Sequence, residues 1–231
     1  MLNLKVFRFS RARPLAGSTL FAMTPLALAA GGHFAVDDAT ITATGRCQLE
    51  SWAGYTTSDD RSITLAPACN LTGNLELGLA LTRSRLNDAL VTDVELGAKT
   101  LLHDVDTVSV ALSVTTGWQH GEDRLDGIDV ALPVSLLLNE RVTTHLNAGW
   151  GWLRDERDLA LWGLAGDIQI AEPLHLIAES YGSDQGGTRV AVGLRYGLSL
   201  GNRELDLDIG WDRSRQSARD RVTTAGINIA F

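Results

Sequence analysis

From residue 47 onward, hydrophobic and polar positions alternate in segments of roughly ten residues, the period of an extended strand with one apolar face. Leu75, Leu77, Leu79 and Leu81 share one face, and Glu76, Gly78, Ala80 and Thr82 share the other. In 108–118, Val108, Val110, Leu112, Val114, Thr116 and Trp118 oppose Ser109, Ala111, Ser113, Thr115 and Gly117. The same period runs through 128–138, 142–153, 162–170, 174–180, 190–200 and 205–211, with turn formers such as Asn139-Glu140-Arg141, Glu172-Pro173 and Gly201-Asn202-Arg203 between them. Adding 48–55, 61–67, 90–99 and the terminal 221–231 gives twelve predicted strands, at about 15 residues per strand and connection. Ten is the alternative count, because 61–67 is short and 174–180 is weakly patterned. Pro133 lies inside 128–138, where it cannot donate a ladder hydrogen bond, so a bulge or kink is expected there.

The first 29 residues read differently. Lys5, Arg8, Arg11 and Arg13 precede a mostly apolar run from Leu15 to Ala27, and Ala27-Leu28-Ala29 supplies small residues for cleavage near Ala29 or Ala30. This is the pattern of a secretory signal peptide. The run is too short and interrupted to span ~30 Å of hydrocarbon as a helix, and no other stretch supplies ~20 consecutive apolar residues. A membrane protein made from this chain has to be a barrel. The expected organisation is a signal at 1–29, a short periplasmic segment at 30–46, and one antiparallel up-and-down transmembrane β-barrel at 47–231, an all-β fold.

Composition narrows the reading further. Without residues 1–29 the chain carries 16 basic and 28 acidic residues, a net charge of −12, which argues against a nucleic-acid partner. Only Lys99 remains as lysine, whereas a soluble β-protein usually solvates its polar face with many. Cys47 and Cys69 enter an oxidising compartment in which disulfides persist. If 48–55 and 61–67 pair so that Tyr55 faces Arg61, Cys47 falls opposite Cys69, close enough to bridge. The C-x-x-C spacing of a redox pair is missing, so a structural disulfide is expected.

Alternation alone does not separate a barrel in lipid from a soluble sandwich, but the aromatic residues do. With both termini on one side, Trp118, Trp150, Trp152 and Trp211 fall at the outer ends of odd-numbered strands, and Trp162 opens the eighth strand at the same rim. Tyr55 and Tyr181 join that belt, while Tyr196 and Phe231 mark the opposite rim. Such a girdle is the interfacial signature of membrane barrels.

The last eleven residues, RVTTAGINIAF, alternate and stop on Phe231. A chain ending this way resembles the outer-membrane β-barrels of Gram-negative bacteria, in which the terminal strand also serves as an assembly signal. That resemblance implies an outer-membrane location reached through a cleaved signal peptide, contact with outer-membrane lipid and lipopolysaccharide, and a partner in the barrel assembly machinery during biogenesis. The run Cys47-Gln48-Leu49-Glu50-Ser51-Trp52, with Cys69-Asn70 and Glu76, is similar to small proteobacterial porin-like barrels assigned to transport of an unknown substrate. No functional residue transfers from that likeness.

Function should lie in what faces inward. By parity the lumen receives Glu50, Glu76, Glu95, Lys99, Asp129, His145, Asp167, His175, Glu179, Arg189, Arg195, Asp206 and Asp208, with Gln48, Asn147, Gln169, Asp212 and Asn228 beside them. Inward glycines, among them Gly163 and Gly193, would leave room. The hairpin patterns suggest Glu76 opposite Glu95, Glu179 diagonal to Arg189, and His175 facing Arg195, and the lining reads equally as a plug of ion pairs or as a selectivity surface. For catalysis, the residues to weigh are His145 with Asn147 and His120 with Glu122 and Asp123. No serine nucleophile stands beside His145, and nothing fixes a metal geometry at His120. No phosphate loop, nucleotide fingerprint or Cys-rich site appears, so no cofactor and no metal are expected. The expected function is a monomeric, narrow channel or passive transporter for an unknown small solute. A lipid- or lipopolysaccharide-modifying enzyme is the second reading, and a closed structural or adhesive barrel is the third.

Overall fold

Each segment with a period of two forms a strand in the computed structural model, which describes residues 34–86, 89–119, 125–154, 156–201, 203–217 and 220–231. The expected signal at 1–29 and the group His120, Glu122 and Asp123 lie outside the described residues. In chain order the strands are β1 (Arg46–Thr56), β2 (Arg61–Asn70), β3 (Leu75–Leu86), β4 (Ala89–Val105), β5 (Val108–Gln119), β6 (Gly127–Asn139), β7 (Val142–Leu153), β8 (Leu159–Ala171), β9 (Leu174–Ser183), β10 (Arg189–Leu200), β11 (Arg203–Ser214) and β12 (Arg221–Ala230). The count is twelve, because β2 and β9, the two weakly signalled segments, are full strands of 10 residues.

Neighbours in sequence are neighbours in the sheet, and β1 closes on β12. The last residue completes the closure: Cys47 N donates to Phe231 O at 2.9 Å, and Phe231 N donates to Cys47 O at 2.9 Å. A closed antiparallel sheet leaves no row of open backbone groups. We call the end where Arg46 and Phe231 meet the inner rim, and the opposite end the outer rim.

The sheet is inside out relative to a soluble core. Ile63, Leu77 and Ile209 are each more than half exposed on the outer face, while Glu76 and Lys99 are 1% and 2% exposed on the inner one. Water would penalise that broad apolar exterior, whereas hydrocarbon matches it, and a closed barrel satisfies every strand's backbone without water.

The first hairpin has the expected register, with Tyr55 opposite Arg61 and Cys47 opposite Cys69. The cysteines are joined, closing a loop across a sequence separation of 22. Replacing both with serine is expected to cost about 3 kcal/mol by freeing the unfolded chain. A lower temperature for the shift from folded to unfolded migration on semi-native gels would show it, and an unchanged temperature would contradict it.

At Pro133 the expected bulge is absent from the β5–β6 ladder, which is instead interrupted there. Val110↔Val134 and Ser113↔Ala131 share one register, so the β5–β6 ladder passes Pro133 without a bulge and leaves out only the pairs between them. Pro133 still aligns with Asn147 on β7. Its missing N–H thus removes local bonding on one side without adding a residue to the strand. Pro67 does the same on β2, between Leu65↔Leu81 and Ala68↔Gly78. Register shifts occur instead at Leu101/His103, Leu137/Asn139 and Gln169/Ala171, all near the inner rim, where barrel strands turn and bulges are tolerated.

Candidate functional site

The site is the lumen and the segment that fills it. The segment expected at the periplasmic side of the barrel, 30–46, does not stay there in its described part. Residues 34–43 turn back from β1 and climb inside the barrel, where Phe34, Val36, Asp37 and Ala39 are buried. We refer to them as the strap.

Side chains from the inner wall hold the strap step by step. Near the inner rim, Glu76 Oε2 accepts from Thr42 N at 2.7 Å, and Asn70 Nδ2 donates to Thr42 O at 2.7 Å. Ser135 Oγ accepts from Ala39 N at 2.8 Å. The Asn147 amide clasps Asp37, its Oδ1 accepting from the backbone N at 2.7 Å and its Nδ2 donating to the backbone O at 2.8 Å. Glu179 accepts from both Ala35 N and Val36 N, at 3.1 and 3.0 Å. Lys99 Nζ lies 2.8 Å from Asp37 Oδ1 and 3.6 Å from Asp38 Oδ1. The strap's backbone, which has no strand partner here, finds substitutes on β2, β3, β6, β7 and β9, as buried peptide groups require.

Two inward glycines supply the fit. A Cβ at Gly163 would stand 2.9 Å from Val36 Cγ2, and one at Gly193 would stand 2.7 Å from Phe34 Cζ. The room expected from these glycines is therefore filled by the strap's own side chains. The Arg195 guanidinium lies 5.6 Å from the Phe34 ring centroid, a cation–π contact at the strap's upper end.

The pairing of the expected lumenal residues differs in part. Glu76 faces Lys99, and Glu95 faces Ala80. The reason is the hairpin: β3 and β4 run on to Leu86 and Ala89, so the turn falls later than the apolar pattern suggested. Glu179 serves the strap and not Arg189. Arg189 instead donates to Asp212 at 2.7 Å and to Asp220 at 2.8 Å, beside a bond from Tyr181 Oη to Asp212 at 2.6 Å. His175 does face Arg195 in the register, but it pairs with Asp167 at 2.7 Å, and Arg195 donates to Asp208 at 2.8 Å. Glu50 and Glu95 are buried on the wall, with Glu95 Oε2 lacking a hydrogen-bond partner, and Asp129 lies beside Gly151. The sixth tryptophan, Trp52, turns inward and packs with Ala66 and Ala80, while Trp150 and Trp162 are exposed at the outer rim with Trp118, Trp152 and Trp211.

The fold also brings a serine to His145, which sequence spacing did not. Ser135 Oγ lies 2.8 Å from His145 Nδ1. That hydroxyl is engaged by Ala39 N, and the adjacent Asp167 is bonded to His175. The pair therefore lacks the free nucleophile and the orienting carboxylate that a catalytic triad uses. Its visible task is to hold the strap.

Among the described residues, two cavities lie beside the strap. One of about 340 Å³ is lined by Ser135, His145, Asp167 and Glu179 among others, and one of about 310 Å³ by Gln48, Glu204, Asp206 and Asn228 among others. Both share Asp38, Thr40 and Arg195 as a wall.

The barrel is similar to solved porins. The KdgM porin aligns with a TM-score of 0.60 at 11% identity, covering 78% of this chain and 97% of that one, and a structure of KdgM in complex with disordered oligogalacturonate aligns with a TM-score of 0.59 at 10% identity over 78% and 97%. The NanC porin aligns with a TM-score of 0.61 at 13% identity, covering 79% of this chain and 98% of that one. At such identities the likeness is one of fold, that of a porin-like outer-membrane β-barrel. No curated protein sequence matches the chain. Across residues 19–231 the sequence matches, and the chain belongs to, the family described as uncharacterised conserved protein UCP029691.

Proposed function

We propose that the protein is an outer-membrane channel for passive passage of small solutes, with a bore set by the lumenal strap. The observation that carries this reading is the combination of a polar, closed lumen with two cavities flanking a segment tied to its wall by hydrogen bonds and ion pairs. A structural plug would need no such cavities beside it, and a lipid-modifying enzyme would need a free nucleophile toward the lipid. The terminal strand and Phe231 would be recognised by the barrel assembly machinery, and the completed barrel would stand as a monomer in lipid and lipopolysaccharide.

Planar-bilayer recording of the purified, refolded barrel tests the reading. Discrete current steps are expected, with amplitudes altered when Glu76, Glu95 and Lys99 are replaced by alanine. Absence of current both in the intact barrel and in a barrel lacking the strap would sink it. Altered lipid composition on incubation with the intact protein, lost in Ser135→Ala, would favour the enzyme instead.

A further inference from the structure

The lining of the two cavities in this barrel is biased toward carboxylates. Asp38, Asp106, Asp167, Glu179, Glu204 and Asp206 line the two cavities, Asp38 beside Lys99, Asp167 on His175 and Glu179 on the strap's amides, against the guanidinium groups of Arg46 and Arg195. The cations along the wall are also offset locally: Arg195 by Asp208, Lys99 by Asp37 and Asp38, and Arg189 by Asp212 and Asp220. Farther toward the outer rim, Glu95 is 7% exposed, with an Oε2 that has no hydrogen-bond partner.

We propose that the lumen passes small cationic solutes, those carrying an ammonium or guanidinium group, in preference to anions. This rests on the channel reading and names the solute class it serves. The physical basis is focusing: a narrow aqueous space between low-dielectric walls concentrates the field of one sign of charge, and the local concentration of counter-ions rises with it. At physiological salt the screening length is about 8 Å, comparable to the half-width of such a lumen, so wall carboxylates act across it. A cavity of about 340 Å³ holds about ten waters, room for a solute of amino-acid size. Among the described residues no three His, Cys, Asp or Glu side chains are placed to hold a metal ion, and the proposal is one of passage.

The test uses the full mature barrel in planar bilayers under a tenfold KCl gradient, together with swelling of barrel-containing liposomes in arginine or glutamate. The expected zero-current potential has the sign of potassium preference, and arginine enters faster than glutamate. The double substitution Glu204→Gln with Asp206→Asn is expected to lower the potassium-to-chloride permeability ratio about threefold, the effect of roughly half a kT of wall potential, since cation and anion respond in opposite directions. Unchanged heat-modifiable migration on gels establishes that this variant is folded. A chloride preference, equal permeability, or a ratio unmoved by the double substitution overturns cation selectivity and leaves the channel standing. Absence of any current, with and without the strap, removes the channel reading and this inference with it.

Discussion

Deleting residues 34–43 is expected to raise single-channel conductance about two- to threefold. Twelve strands ~4.8 Å apart, tilted by about 40°, give a barrel with a backbone radius of roughly 12 Å. Inward side chains take up about half of that radius, and an extended segment with its own side chains, roughly 10 Å across, occupies about two thirds of the section left over. The strap makes no strand pairing, so its loss leaves the barrel ladders untouched. The wall groups that held it, Glu179, Asn147, Ser135 and Lys99, then face water and are not left buried without partners. Gly163→Leu provides a milder version, because the new side chain would occupy the space of Val36, with 1–3 kcal/mol as the usual scale of overpacking. An intermediate conductance is expected from it. A deletion variant that migrates as a folded barrel and conducts no better than the intact protein would show that the strap does not set the bore.

The barrel was legible because its rule is repetitive. Period-two alternation survives small errors of boundary, and the pair Cys47–Cys69 fixed one hairpin to the residue. The β3–β4 hairpin had no such marker. Its apolar pattern fades before the strands end, and the displaced turn set Glu76 against Lys99 where Glu95 had been expected. The strap was hidden for a different reason. Residues 34–43 carry no turn signal and no long apolar face, and their partners are scattered from Asn70 to Arg195 along the chain. The available signals were indirect: a lone retained lysine, inward glycines at 163 and 193, and an amide at Asn147 set among small residues. Each reads locally as spare room or polarity. Only the closed barrel brings them to one segment.

Lys99→Met is expected to release the strap while the barrel stays folded. Among the described residues, seven hydrogen bonds tie the strap's backbone to the wall, at about 1 kcal/mol net each, and burying Phe34 and Val36 adds about 4 kcal/mol. Ordering ten residues costs about 10 kcal/mol at the lower end of the backbone scale, so these terms nearly cancel. The buried pair of Lys99 and Asp37 then decides the outcome, with both side chains almost wholly out of water. Removing the ammonium alone leaves a carboxylate buried without its cation, a change of about 3–5 kcal/mol, and leaving the lumen relieves it. Because 1.4 kcal/mol is a tenfold change in an equilibrium, release should increase by more than a hundredfold. A cysteine placed at Ala39, which is fully buried, reports it: maleimide labelling should be slow in the intact barrel and at least about a hundredfold faster with Lys99→Met. Adding Asp37→Leu to Lys99→Met should restore protection, since an apolar pair in place of a buried ion pair is often neutral or stabilising. Continued protection in the single variant would mean that the strap is held without the ion pair. Failure of the double variant to recover would place the role of Lys99 elsewhere on the wall.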